Sequence, residues 1–214
     1  MQNIRKKKTM KVIKRILLAI VIVVGLLVAL LVIGSFTGLV VVDSEGGNHS
    51  EYATLSDDEK ARVMDITDMD SLKADGNVYR VRHEQVRHYL NGRGKAVVYS
   101  YIPYCTKEGC VDPVDCFKKC DEAGVELLLI SELYYKLFEN TTDYPQPVFV
   151  INSESYGTDD REDYVKLFYN GLVGEENWSR LSLSGGGLYF CFNHGKYIGQ
   201  FKKLDEALEF LKKE

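Results

Sequence analysis

Residues 95–120 have the sequence KAVVYSYIPYCTKEGCVDPVDCFKKC and contain four of the chain's five cysteines. The apolar run 96–102 is short, rich in Val and Tyr, and followed by turn residues, which predicts a buried strand that ends before Cys105. Asp112 and Pro113 predict a helix start, because Asp caps free backbone N–H groups and Pro suits the first helical position. Cys116 and Cys120 would then lie on one face of that helix. Thiol chemistry is therefore the first functional hypothesis.

The N-terminal region has the composition of a membrane anchor. Residues 1–42 carry no acidic side chain, and seven Lys and Arg residues within 1–15 precede an uncharged apolar run over 16–42. About 20 apolar residues suffice for a helix to cross a bilayer, so this run predicts a transmembrane helix. The alternative is a signal peptide cleaved after Gly34 or Ser35, although such peptides usually have an apolar core of ~7 to 15 residues. Because the basic cluster precedes the span, we expect residues 1–15 in the cytosol and the C-terminal domain in the periplasm or outside the cell.

The chain after the predicted anchor is strongly acidic. Residues 43–214 hold all 31 acidic residues but only 20 of the 27 basic ones, which leaves a formal net charge of −11. This charge argues against a nucleic-acid partner. The first part, residues 43–55, is polar and contains glycine, so it predicts a flexible tether. The folded domain is expected over 56–214.

Hydrophobic periodicity predicts further helices and strands on both sides of the cysteine stretch. The expected helices are 57–66, 83–90, 159–172 and 204–211, and the expected strands are 77–81, 125–131 and 147–152. Strand 125–131 should lie parallel beside strand 96–102, since a strand–helix–strand unit produces buried parallel neighbours. Segment 188–201, LYFCFNHGKYIGQF, predicts a hairpin, because two aromatic-rich runs flank Asn193-His194-Gly195.

Two parts of the sequence resemble the thioredoxin-like superfamily. Tyr101-Ile102-Pro103-Tyr104-Cys105 resembles that family's approach to its active cysteine, and the hairpin 188–201 followed by LDEALEFLKK resembles its closing hairpin and helix. The resemblance covers about residues 77–214. It implies a three-layer α/β fold in which helices flank a mixed central sheet, with an insertion around 153–187.

The same resemblance implies roles for the loop cysteines. Cys105 would attack a client disulfide and Cys110 would resolve the mixed disulfide, with Tyr104 and Lys107 flanking them. The chain departs from the family's Cys-x-x-Cys motif, because four residues separate Cys105 from Cys110. In the short motif, the second cysteine lies inside a helix whose N-terminus stabilises the first as a thiolate. Here Lys107 would favour a thiolate, whereas Glu108 would oppose it.

A second departure concerns a proline. Thioredoxins place a cis-proline immediately before the first hairpin strand, where the proline faces the active cysteine, and the matching positions in this chain are Gly186 and Gly187. In an alternative alignment Pro147 occupies that place. Residues 156–187 would then be an insertion between the paired strands.

The clustered thiols allow several arrangements. A Cys105–Cys110 disulfide would be either redox-active or a structural bridge. Cys116 or Cys120 could instead pair with one of those two, because spacing alone does not determine connectivity. All four could bind zinc, but the spacings lack the paired short knuckles of structural zinc sites. We therefore predict no metal and no cofactor, and we expect Cys191 to be a buried apolar thiol.

Two functional hypotheses follow. The first is a membrane-anchored thiol-disulfide oxidoreductase that acts on a thiol-containing or peptide client. The second is a non-catalytic thioredoxin-like accessory or binding module, for example of a peptide-export system, whose disulfides are structural. Both include the membrane as a partner through residues 16–42.

Overall fold

A seven-stranded mixed sheet forms the centre of the described part of the chain, which is residues 51–105, 110–174 and 188–214 of the computed structural model. The strands are β1 (Val63–Asp65), β2 (Val78–Val81), β3 (Lys95–Tyr101), β4 (Glu126–Ser131), β5 (Val148–Ile151), β6 (Leu188–Asn193) and β7 (Lys196–Phe201). Their order is β1-β2-β5-β4-β3-β6-β7. The first five in that order are parallel, whereas β6 runs antiparallel to β3 and to β7. The predicted α/β class is confirmed.

Helices cover both faces of the sheet. They are α1 (Asp57–Ala61), α2 (His83–Asn91), α3 (Pro113–Glu122), α4 (Arg161–Val173) and α5 (Leu204–Lys213). Helices α2 and α4 pack into one apolar cluster, with Leu90 and Phe168 fully buried. Helices α3 and α5 pack into a second cluster, where Phe117 and Leu211 are buried. The described elements thus form three layers, with the sheet in the middle.

Strand β3 is buried on both faces. Ala96 and Val98 belong to one apolar cluster and Val97 and Tyr99 to the other, because successive side chains of a strand point to opposite faces. This double burial accounts for the uninterrupted apolar run in the sequence. The parallel pairing expected between β3 and β4 is confirmed.

The segment predicted as a helix over 57–66 is a short helix followed by a strand. Helix α1 begins with a capping box, in which the Ser56 N–H donates to Glu59 at 2.9 Å and the Glu59 N–H donates to Ser56 at 3.3 Å. It ends at Ala61, and β1 then pairs in parallel with β2. The prediction of one longer helix was therefore wrong, because pairing with β2 overrides a short helical pattern.

Residues 51–55, which the sequence assigned to a tether, pack against the domain. The Tyr52 ring lies 5.5 Å from the Tyr134 ring, and the Arg80 guanidinium lies 5.3 Å from the Tyr52 ring. Leu55 packs on the same apolar cluster as α3 and α5. The predicted anchor at 16–42 lies outside the described residues, and within them no helix is long and apolar enough to cross a membrane.

The predicted hairpin is confirmed. It consists of β6 and β7, and the positive φ values of its turn fall on His194 (49°) and Gly195 (73°). A Cβ atom on Gly195 would lie only 2.1 Å from Oδ1 of Asn91, so the turn requires glycine for space as well as for conformation. The hairpin places β6 next to β3.

Candidate functional site

Cys105 and Cys110 form a disulfide at the C-terminal end of β3, with their Cα atoms 5.9 Å apart. Residues 102–104 connect Cys105 to the strand, and the Cys105 N–H donates to the Ile102 carbonyl at 2.9 Å. Both cysteines are half-buried. The disulfide therefore lies just beyond the C-terminal end of an interior strand, and solvent partly reaches it. Of the cysteine pairings that the sequence left open, Cys105–Cys110 is the one that forms.

Helix α3 begins three residues after Cys110. The Asp112 carboxylate accepts a hydrogen bond from the Val114 N–H at 2.8 Å, and Pro113 is the first helical residue, as predicted. Both cysteines of the disulfide consequently lie outside the helix. Because a helix dipole acts mainly within its first turn, α3 favours a thiolate at Cys105 less than the helix of a Cys-x-x-Cys motif would.

A largely buried ion pair lies beside the cysteine loop. Glu132 directly follows β4, and Arg161 is the first residue of α4. Arg161 donates to Oε2 of Glu132 from Nε at 3.0 Å and from Nη2 at 2.5 Å. Only 12% of the Glu132 side chain and 22% of the Arg161 side chain are exposed. The other carboxylate oxygen accepts a hydrogen bond from Ser100 at 2.6 Å, so both oxygens of Glu132 are satisfied.

The ion pair also holds the residue that precedes Cys105. Nη1 of Arg161 donates to the Tyr104 hydroxyl at 3.1 Å. Burial would lower the pKa of Arg161, but Glu132 and Tyr104 outweigh burial, and the net effect is a raised pKa. Arg161 therefore stays cationic at any physiological pH and fixes Tyr104 at the base of the disulfide loop.

Glu132 and Arg161 were not singled out in the sequence. They are 29 positions apart, and only the fold brings them together. A weak signal existed, because Glu132 directly follows the apolar run 126–131 and Arg161 is the lone cation among the acidic residues 159–163. Such isolated charges at element ends are common on protein surfaces, so the signal alone does not predict a buried pair.

The three remaining cysteines are free thiols in the core. Cys116 and Cys120 of α3 face the sheet, and Cys191 of β6 is buried as predicted. Burial raises the pKa of each of the three thiols to about 12. The alternative disulfides through Cys116 or Cys120 do not form, because α3 directs both thiols into the core.

The disulfide also removes the four-thiolate zinc arrangement, since two of its four sulfurs are bonded to each other. Among the described residues, no three His, Cys, Asp or Glu side chains are grouped so that they could hold a metal ion.

The flanking positions Lys107, Gly186 and Gly187 lie outside the described residues. Pro147 precedes β5, which pairs in parallel with β2 and β4, whereas the strand antiparallel to β3 is β6. Every peptide bond in the described ranges is trans. Gly187 directly precedes β6, the strand that pairs with β3, whereas Pro147 precedes a strand that does not pair with β3.

The chain was compared with protein-family models, with curated proteins and with solved structures. No match was found. Its function is therefore inferred from the disulfide and the side chains around it, because a site is better support for function than a fold alone.

Proposed function

We propose that the chain is a membrane-anchored thioredoxin-like protein that exchanges disulfides through Cys105 and Cys110 outside the cytosol. The observation that carries this proposal is a half-buried disulfide at the end of a central strand. The order of elements supports it: a strand, the disulfide loop, a helix, a parallel strand, and later an antiparallel hairpin with a terminal helix. That is the order of a thioredoxin-like domain.

Exchange proceeds through a mixed disulfide. In the reduced protein, the Cys105 thiolate attacks one sulfur of a client disulfide, and the other client sulfur leaves as a thiolate. The Cys110 thiolate then attacks the Cys105 sulfur, the second client thiolate leaves, and the Cys105–Cys110 disulfide forms again. The client gains two electrons and the protein loses two. The reverse sequence oxidises a client dithiol.

The core thiols support a role for the loop cysteines alone. Cys116, Cys120 and Cys191 are buried and have raised pKa values, so they are protonated at neutral pH and shielded from a client. The half-buried loop disulfide is accessible by comparison. A client thiol would therefore meet only one reactive pair.

Trapping of clients tests the exchange. The Cys110→Ala variant lacks the resolving thiol, so we expect it to accumulate mixed disulfides through Cys105, visible as higher bands on a non-reducing gel. A variant in which Cys105 is also replaced by Ala is the matched control and should show none. If Cys110→Ala forms no more mixed disulfides than that control, the exchange proposal is refuted.

The membrane part of the proposal rests on the apolar run 16–42 and the basic residues before it. A pair of reporters fused after Glu214 tests it, one active only in the cytosol and the other active only beyond the membrane. Activity of the second reporter alone is expected. Activity of the cytosolic reporter would overturn the orientation.

A second candidate is a non-catalytic thioredoxin-like accessory module whose disulfide is structural. The observation that favours it is the position of the disulfide outside α3, where the helix N-terminus does little to stabilise a thiolate. In that case the bridge joins the end of β3 to the start of α3. The trapping experiment separates the two candidates, because a structural bridge yields no client mixed disulfide.

A further inference from the structure

The residues that flank the disulfide are each held by a hydrogen bond from another part of the fold. Tyr104 directly precedes the first cysteine, and its hydroxyl accepts a hydrogen bond from Nη1 of Arg161 at 3.1 Å. Val111 directly follows the second cysteine, and its carbonyl oxygen accepts a hydrogen bond from the Tyr99 hydroxyl at 3.3 Å. We call these two contacts the Tyr104 clamp and the Tyr99 clamp.

The donors of the two clamps belong to different layers of the fold. Arg161 begins α4, and two hydrogen bonds to Glu132 fix its guanidinium. Tyr99 lies in β3 and is fully buried in the apolar cluster of α3 and α5, where its ring stacks on the Tyr189 ring with 4.5 Å between the centroids. Both donors are therefore held in place themselves, whereas the two residues that accept from them are only half-buried.

The clamps matter most when the disulfide is reduced. In the oxidised chain the bond between the sulfurs keeps the two cysteines together, with their Cα atoms 5.9 Å apart. After reduction only the surrounding structure restrains them, and each residue that becomes free to move gains conformational entropy. A clamp limits that gain, so less entropy is lost when the disulfide forms again. Two thiols whose neighbours are clamped should therefore form their disulfide more readily than two thiols on free segments.

We propose that Tyr99 and Tyr104 are positioning residues that lower the reduction potential of the Cys105–Cys110 disulfide. Because the clamps favour the oxidised form, the reduced chain gives its two electrons to a client disulfide more readily. Neither tyrosine takes part in the bond exchange itself. This proposal rests on the proposed function, because it assigns the direction in which the clamps shift the exchange with a client.

The equilibrium with glutathione tests the clamps. In this reaction the two thiols of the chain are oxidised to the disulfide, while one oxidised glutathione is reduced to two reduced glutathione molecules. The full-length chain in detergent micelles is equilibrated, quenched with acid and alkylated in denaturant. Its mass then shows three labels on the oxidised form and five on the reduced form. Where a stronger reductant is needed, mixtures of oxidised and reduced dithiothreitol replace glutathione.

Two variants each remove one hydroxyl and keep the aromatic ring. Tyr99→Phe keeps its ring stacking, and Tyr104→Phe keeps the edge-on contact with the Tyr135 ring, whose centroid lies 5.6 Å away. The matched control is Tyr144→Phe. Tyr144 is buried in the same apolar cluster as Tyr99, but its hydroxyl lies 3.4 Å from that of Tyr101 rather than beside a residue that flanks the disulfide.

We expect Tyr99→Phe and Tyr104→Phe each to lower the equilibrium constant for disulfide formation about fivefold, which is the order of the net contribution of one hydrogen bond. This change raises the reduction potential by about 20 mV, since a tenfold change corresponds to about 30 mV for a two-electron couple. Tyr144→Phe should leave the constant unchanged.

An unchanged or raised constant in either clamp variant would overturn the proposal. A hydroxyl that only supports the fold would destabilise the oxidised and reduced forms equally, and the equilibrium constant would then stay the same. A fall in Tyr144→Phe as large as in the clamp variants would also overturn the proposal, since any buried tyrosine hydroxyl would then have the same effect.

The result is separable from that of the trapping experiment. A chain whose equilibrium constant falls in both clamp variants but which traps no client retains the clamps and loses the exchange activity. A chain that traps clients while both constants stay unchanged retains the exchange activity and loses the clamps.

Discussion

The Glu132–Arg161 pair offers a direct test of how the disulfide loop is held. We consider Glu132→Gln, which removes the negative charge but keeps the side-chain volume. The Arg161 guanidinium then remains largely buried without its counter-ion, bonded only to a neutral amide and to the Tyr104 hydroxyl. Removal of one partner of a fully buried pair costs about 3 to 5 kcal/mol. Since 12% of one side chain and 22% of the other are exposed, we expect the lower end, about 3 kcal/mol.

A double-mutant cycle isolates the interaction between the two charges. Arg161→Met should also cost about 3 kcal/mol, because it leaves the Glu132 carboxylate without its cation. The double variant should lose less than the sum of the single losses, with a coupling energy of about 1 to 3 kcal/mol. The surface pair of Lys119 and Asp205, joined at 2.8 Å with 44% and 73% of the side chains exposed, is the control. Lys119→Met should not measurably change the stability.

The assay is urea unfolding of residues 43–214 with the disulfide intact, monitored by circular dichroism. Free energies of unfolding are compared between variants that have the same m-value, the slope of the free energy of unfolding against urea concentration. A changed m-value would mean a changed unfolded state. If Glu132→Gln lowers the free energy of unfolding no more than Lys119→Met does, the Glu132–Arg161 ion pair does not stabilise the fold at the end of β4. If the single losses simply add, Glu132 and Arg161 act independently of each other.

Three further predictions concern the core. Gly171→Ala should lower the free energy of unfolding in urea by about 1 to 3 kcal/mol, because the added Cβ would lie 2.3 Å from the His83 ring. Gly92→Ala is the control and should be near neutral, because its Cβ would meet only a carbonyl oxygen at 3.6 Å. Burial lowers the pKa of His83 below 6.5, so the midpoint of its NMR titration in the folded protein should lie below 6.5. The unfolded chain then binds more protons than the folded one, so the free energy of unfolding should fall as the pH drops below 6.5. Alkylation at pH 8 should leave the three core thiols unlabelled until urea is added, as mass spectrometry would show, because their pKa values are raised to about 12.

Local patterns in the sequence predicted most of the elements around the disulfide. The start of α3 followed from Asp112 and Pro113, because capping is a matter of neighbouring residues. The apolar runs of β3 and β4 predicted parallel neighbours, and the hairpin β6–β7 followed from its turn residues. In each case, the deciding interactions lie within one element or between elements close in sequence.

The other features depend on contacts between elements whose own sequence patterns do not predict them. β1 takes its conformation from pairing with β2, so the helical pattern over 57–66 was misleading. The pair of Glu132 and Arg161 forms only when α4 returns to the end of β4.

The redox equilibrium of the Cys105–Cys110 disulfide tests the central proposal most directly. The full-length chain is equilibrated in glutathione buffers of graded potential, and the reduced fraction is measured from the mass shift after alkylation. An exchanging pair should be half reduced between about −120 and −270 mV, the range of protein disulfide oxidoreductases. A bridge that remains fully oxidised below about −300 mV would contradict the proposal and identify the disulfide as structural.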